Sequence, residues 1–413
     1  MAAGPRDRQP ACHALVRTSA QVRIKAHNLT KRQEWQVADP AAKVPTVYDV
    51  AARAGVSIAT VSMTYRRPDK VRPATREVVL AAAGELQYVP SASARGLADG
   101  RTGALGLFSY DYLVRAGDSR RPDARATDAD TAVRIVREGP DEMCREFPLY
   151  VDEIQRGMEV ACWERGYALM IGGPSHAGPA SVVTDIAGRV DGLAVFPQTL
   201  PLDALEHIAG RIPVISVSEP PRDDRLSHVT VDNRGGMRAV TEHLIREHGC
   251  RDLLFVGGLN PAEGSARFDG FRGALRQAGL RVPRKPLVPE TRVNGSGRAV
   301  IELPADLPLP EAFVCATDDV ALDVLDILAA RRVKVPATVA VTGFDGIAAG
   351  RIVRPALTTV RQPMVEMGRV VVEMLDALIA APGRPPETRE LPVDVVLRES
   401  CGCRPRGPMW RVR

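Results

Sequence analysis

The chain has 413 residues, 45% of them apolar, which is too long for one ordinary domain and enough to fill two or three. No apolar run approaches the roughly 18 residues that span a bilayer, and the N-terminus lacks the roughly 7 to 15 apolar residues of a secretion signal, so a cytoplasmic protein with no membrane partner is expected. Net charge is +5 but unevenly placed: residues 1–102 hold 16 Lys and Arg against 8 Asp and Glu, and the other 311 hold 39 against 42, so the positive excess lies in the first quarter.

Residues 1–43 carry Pro, Arg, Ala and Gln without a sustained period and are expected to be a disordered extension that contributes +5 of the early charge. The pattern changes in TVYDVAARAGVSIATVSMTY, from Thr46 to Tyr65. Val47, Val50, Ala51 and Ala54 recur at helical spacing, Gly55 interrupts them, and a second short helix follows from Ile58. Thr46 and Ser57 stand where a hydroxyl caps each helix. Two capped helices around a glycine turn make a helix-turn-helix, although a helical hairpin of any small bundle has the same spacing. In this motif the second helix enters the major groove. Val61 faces inward, leaving Ile58, Ala59, Thr60, Ser62 and Met63 for bases, phosphates or solvent. In RRPDKVR, Arg66, Arg67, Lys70 and Arg72 suit a DNA backbone or a solvated turn. Pro73 opens a third helix whose apolar face is Val78, Val79, Ala82, Ala83 and Leu86.

The run TVYDVAARAGVSIATVS, followed by VRPATREVVLAAAGELQYVPSASARGLADGRTGALGLF, closely resembles the N-terminus of LacI/GalR-family bacterial transcription repressors over some 60 residues. The resemblance implies DNA contacts from Thr46, Tyr48, Ser57, Ile58, Ala59, Thr60, Ser62, Met63 and Arg66, within a DNA-binding domain spanning 44–99. It also implies a hinge over about 90–99, in which Leu97 matches the leucine that wedges into the minor groove. Met63 departs from the arginine many members carry, which implies a different pattern of base readout. Tyr65-Arg66 likewise replaces the usual Leu-Asn, and Arg72 a usual Ser or Thr cap.

From Ala104 onward, apolar runs beginning at 104, 167, 192, 213, 252, 312 and 339 alternate with amphipathic segments at Tyr150–Arg165, Asn233–His248, Arg267–Ala278 and Asp318–Arg331. That alternation means parallel sheets covered by helices, and about 300 residues is large for one such sheet. The resulting fold class is an all-α helix-turn-helix domain plus an α/β core of two lobes over 103–400. The family resemblance implies the same core, like a periplasmic binding protein of type I, with a ligand cleft between lobes. Residues 115–146, rich in Arg and Asp, exceed the family length and read as an insertion; 401–413 read as a tail.

Arg267 in SARFDGF and Asp318 in CATDDVAL match family cleft residues, a guanidinium fork and a carboxylate suited to sugar hydroxyls, although Thr317 replaces a usual Asn. Tyr110 and Asp111 lie where a cleft loop follows the first strand. Arg267 as a surface helix residue and Asp318 as a helix cap are the bland alternatives. Asp345 in VTGFDG and Asp232-Asn233 in VTVDNRGG are family markers read as structural. His243 and His248 are five apart, which does not put them on one helix face, and the seven cysteines contain no CxxC pair. Reduced thiols are expected, with Cys401 and Cys403 a tail CxC and no metal site. No phosphate loop, GxSxG or catalytic triad stands out, so neither a catalytic residue nor a cofactor is expected.

These readings converge on a homodimeric, sequence-specific DNA-binding repressor, not an enzyme. Its partners are a pseudo-palindromic double-stranded operator and a small effector, by family default a sugar. The competing reading is a soluble sugar-binding receptor with no DNA role, which should carry a secretion signal and no basic helical head.

Overall fold

The computed structural model describes residues 45–66, 68–88, 101–109, 149–172, 179–196, 200, 202–219, 225–257, 261–293 and 299–403. The expected extension 1–43, the hinge over about 90–99 and the insertion at 115–146 therefore lie outside the described residues. The chain divides into two units after residue 90.

In the first unit, Asp49 Oδ2 accepts from the backbone N–H of Thr46 at 2.7 Å and from its hydroxyl at 2.6 Å, and α1 (Val47–Ala54) starts there. It stops because Gly55 adopts the left-handed conformation, φ 67°, which only glycine enters at little cost. Ser57 Oγ accepts from Thr60 N at 3.1 Å and opens α2 (Ile58–Arg66). A 3₁₀ turn (Pro68–Lys70) leads to α3 (Pro73–Glu85), whose first residue is the proline. Val50, Ala51, Val61, Val79, Ala82 and Ala83 form the core of this three-helix head, and Arg53 of α1 pairs with Glu85 of α3 at 2.5 Å. Val78 corrects the expectation for the third helix. It is 51% exposed, because the buried stripe passes through Val79 and continues four residues on at Ala83.

The second unit holds two parallel sheets. The first, in spatial order β12-β5-β4-β3-β1-β2, comprises β1 (Ala104–Phe108), β2 (Ala168–Gly172), β3 (Gly192–Val195), β4 (Val214–Val217), β5 (Ser227–Val231) and β12 (Thr388–Leu391). The second, β13-β11-β10-β9-β6, comprises β6 (Leu253–Val256), β9 (Ala312–Cys315), β10 (Ala340–Asp345), β11 (Thr358–Arg361) and an antiparallel edge strand, β13 (Asp394–Val396). A hairpin of β7 (Glu290–Val293) and β8 (Ala299–Glu302) sits between β6 and β9 in the chain.

Period-two alternation divides β1, β3 and β4 of the first sheet between two cores. Leu105 and Leu107 of β1 face the main cluster, while Ala104 and Phe108 face a second one made with α5 (Pro179–Ala187) and α6 (Leu202–Ala209). Against the opposite face lie α4 (Leu149–Arg165) and α11 (Met364–Ala380), which approach through paired glycines. A Cβ on Gly157 would lie 2.0 Å from Val365 O, and one on Gly368 2.1 Å from Ile154 O. The second sheet is covered by α7 (Asn233–Glu247), α8 (Pro261–Gln277) and α9 (Asp318–Ala330), with the short α10 (Ala349–Ile352) after β10.

The chain crosses between sheets three times: from β5 into α7, from β11 through α11 to β12, and from β12 to β13. A backbone bond from Asp232 N to Leu391 O, 3.1 Å, ties two of these crossings together. The helix expected from Arg267 starts six residues earlier, at Pro261, and Arg267 falls inside it. Ser400 donates to Val341 O at 2.6 Å and accepts from Thr358 N at 2.8 Å, so the expected tail begins within packed structure.

Candidate functional site: a DNA-reading helix and an effector cleft

On the head, Thr46, Ser57, Ile58 and Ala59 are exposed, Tyr48 is 67% exposed, and Thr60, Ser62 and Met63 are half-buried. Val61 is fully buried, so α2 is anchored by one face and presents the other. Thr60 is not wholly free for bases: its hydroxyl lies 2.9 Å from Ser57 Oγ, and its carbonyl accepts from Thr64 Oγ1 at 2.9 Å. Arg66 closes α2. Leu97, Tyr110 and Asp111 lie outside the described residues.

In the core, the carboxyl ends of both sheets converge on a buried polar cluster, the place where open α/β sheets take ligands. Arg267, 2% exposed, reaches from α8 to the end of β9. Its Nε donates to Asn233 Oδ1 and its Nη1 to Ala316 O, both at 2.8 Å. Glu263, one turn earlier, and Asp345, at the end of β10, each lie 3.5 Å from the guanidinium, which stacks over Phe344 with 3.9 Å to the ring centre. Burial outweighs the attraction of Arg267 and pushes both carboxyls above the usual range. Asp345 holds φ 122°, a strained value for a non-glycine residue, and its Oδ1 accepts from Gln362 Nε2 at 2.8 Å.

The first lobe contributes Tyr150. Its hydroxyl donates to Gln362 Oε1 at 3.1 Å and lies 2.5 Å from Ser218 Oγ, at the end of β4. Burial, with Glu263 adding, raises this phenol well above its ordinary value. Neither Tyr150 nor Gln362 stands out in the sequence, and they are 212 positions apart.

Asp318 is fully buried at the first position of α9, capped by Thr317. Its Oδ2 accepts from Gly346 N at 2.8 Å and Ile347 N at 2.9 Å, and its Oδ1 from Thr359 Oγ1 at 2.6 Å. Burial raises its carboxyl to about 7 against these stabilising bonds. Gly343 makes room for it, since a Cβ there would lie 2.1 Å from Asp318 Oδ1. Asp345 and Asn233, read from sequence as structural markers, thus sit in the same network as Arg267.

One expectation is overturned by geometry. His243 and His248 do meet, with 3.1 Å between their Nε2 atoms, and Cys401 and Cys403 join them. The i, i+5 argument fails because α7 ends at Glu247 and His248 turns off the helix as its cap.

No helix among the described residues is long and apolar enough to cross a membrane. A family model for bacterial regulatory proteins of the lacI family matches residues 46–91, and one for a periplasmic binding protein-like domain matches 241–401. The HTH-type transcriptional regulator CelR of Thermobifida fusca is 31% identical over 367 residues, covering 86% of this chain and 98% of its own. The ribose operon repressor of Escherichia coli K12 is 28% identical over 343 residues, covering 82% and 94%. Among solved structures, a CelR–cellobiose complex aligns at TM-score 0.55 with 27% identity over 86% of this chain and 99% of that one. A lac repressor dimer bound to operator shares the fold at TM-score 0.62 with 20% identity, over 87% and 99%. The similarity runs through head and core alike, and the chain belongs to the LacI family of bacterial transcriptional regulators.

Proposed function

We propose that the protein is a homodimeric repressor that holds a pseudo-palindromic operator through two copies of α2 and is controlled by a sugar bound at the carboxyl ends of the two sheets. The observation that carries the reading is the exposed start of α2, where Ser57, Ile58 and Ala59 stand outward while Val61 anchors the helix. Thr46, Tyr48, Thr60, Ser62, Met63 and Arg66 complete the proposed DNA surface, and Leu97 is the proposed minor-groove wedge.

In the core, Arg267 is the proposed effector grip, because a guanidinium fork aimed into a closing cleft suits paired hydroxyls. Asp318 joins it through the Oδ1 lone pair that Thr359 leaves, with Tyr110 and Asp111 as further contacts from the first lobe. The effector acts by preferring one cleft arrangement and so shifting the population of dimers competent for DNA. The same reading makes the protein a cytoplasmic regulator with no catalytic activity.

A labelled pseudo-palindrome from the protein's own upstream region, titrated at two salt concentrations, tests it. Binding should be specific and weaken steeply with salt, and Leu97→Ala should lose specific binding far more than non-specific binding. A thermal-shift screen with cellobiose, ribose and nucleosides should identify a stabilising ligand. Equal affinity for any duplex sinks the proposal.

A further inference from the structure

Four side chains outside the DNA-reading helix and the cleft form a cluster that neither function uses. His243 and His248 come from the end of α7, and Cys401 and Cys403 from the last described turn of the chain. One nitrogen or sulfur from each lies within 4.8 Å of all the others. The geometry points to a structural zinc ion held by His243 Nε2, His248 Nε2, Cys401 Sγ and Cys403 Sγ, clasping the C-terminal segment to α7.

Four of the six spacings lie close to the edges of a tetrahedron, and the other two are within 4.8 Å. With Zn–S near 2.3 Å and Zn–N near 2.0 Å, those edges are about 3.3 Å between nitrogens and about 3.5 Å between nitrogen and sulfur. Here the two nitrogens are 3.1 Å apart. Cys403 Sγ lies 3.4 Å from His243 Nε2 and 3.5 Å from His248 Nε2, and Cys401 Sγ lies 3.8 Å from His243 Nε2. Both imidazoles present the same nitrogen inward and sit edge to face, 75° between planes, so their lone pairs converge without the rings colliding. Gly402, at φ 103°, makes the turn that brings the two cysteines to one side, and a Cβ there would crowd the His248 ring at 3.3 Å.

Two thiolates and two neutral imidazoles around Zn²⁺ give a neutral complex, which a half-buried site tolerates, and binding sends the two thiol protons to solvent. Thr358 Oγ1 donates to Cys401 Sγ at 3.0 Å, the kind of outer bond that steadies a ligating sulfur. Four protein ligands close the shell, so the ion is structural and leaves no position for chemistry. It also bears on the cleft. Asn233, which holds Arg267, opens the same 15-residue helix whose far end carries the histidines, so α7 is pinned at both ends, about 22 Å apart.

The test is metal analysis of the full chain purified with reductant and without chelator, beside Cys403→Ser, His248→Gln and a control, Cys162→Ser, in the buried cysteine of α4. Wild type and control should carry about one zinc per chain, and the two ligand variants less than about a fifth of that. After chelation, added Co²⁺ should give a tetrahedral visible spectrum with a thiolate charge-transfer band in wild type and lose that band in Cys403→Ser. Cys403 is only half-buried, so this variant keeps the fold testable. Wild-type protein without zinc, or equal metal content in wild type and both ligand variants, overturns the assignment. Operator and effector binding need not be known for any of these readings.

Discussion

The Tyr150 hydroxyl donates to Gln362 Oε1 across 3.1 Å, joining the first turn of α4 to the crossover that leaves β11. Gln362 passes the link on through Nε2 to Asp345, which faces Arg267. Tyr150 of the first lobe and the Arg267 guanidinium are therefore three polar contacts apart, all in low-dielectric surroundings where each bond is strong and each loss costly.

Tyr150→Phe should consequently destabilise the core by about 1–3 kcal/mol, because Gln362 Oε1 and Ser218 Oγ are left without a buried partner. Urea unfolding of Tyr150→Phe, Gln362→Leu and the double variant measures the link. The double variant should lose less than the sum of the singles by about 0.5–3 kcal/mol. Simple additivity would show that the two residues do not act together.

Arg267→Met removes the positive charge from between Glu263 and Asp345. Leaving buried carboxylates uncompensated costs about 3–5 kcal/mol when they are ionised. Both carboxyls are already raised by burial, so at acidic pH they escape the penalty by keeping their protons. The loss of stability relative to wild type should therefore be smaller at pH 5 than at pH 8. Arg267→Lys, which keeps the charge but not the fork to Asn233 and Ala316, should abolish the ligand-induced thermal shift while leaving operator affinity within about twofold. An unchanged shift removes Arg267 from the proposed site.

Asp318 gives a pH dependence of definite sign. Its folded carboxyl titrates at about 7 against an ordinary 3.8, so the folded chain binds that proton more tightly than the unfolded one. Its contribution to stability is fully present below about pH 4 and is lost as pH rises through about 7. Asn keeps one oxygen for Gly346 N and Ile347 N and cannot ionise, so Asp318→Asn should gain on wild type as pH goes from 5 to 8. Urea midpoints at the two pH values decide it, and a difference independent of pH would refute the buried ionisation.

The elements most legible in the sequence are those whose local signal and tertiary role agree. ALGLF, GLAV, VISV and AFVC are apolar runs because central parallel strands are buried on both faces, and Gly55 marks the turn because its φ requires glycine. SHVTV of β5 and the first three residues of TTVR in β11 are equally buried, yet polar residues interrupt them: Thr358 and Thr359 are there to hold Cys401 and Asp318. Arg267 and Asp318 carry their own local pattern. The Tyr150–Gln362 contact and the His–Cys cluster do not, because each is made by segments more than 150 positions apart and exists only once the crossovers are in place.

The head offers a separation of folding from reading. Ile58 is 40% exposed at the start of α2, three residues before the buried Val61. Ile58→Asp removes little from the core and adds an acid where the helix N-terminus favours one, so the stability of the head should change by less than about 1 kcal/mol. Against DNA the same carboxylate meets phosphate oxygens and replaces an apolar group able to touch thymine methyls, so specific affinity should fall at least about tenfold. Val61→Asp should do the opposite in order, unfolding the head first and losing DNA as a consequence. Circular dichroism melts alongside gel-shift titrations distinguish the two. If Ile58→Asp binds the operator as wild type does, the exposed start of α2 is not what reads the duplex.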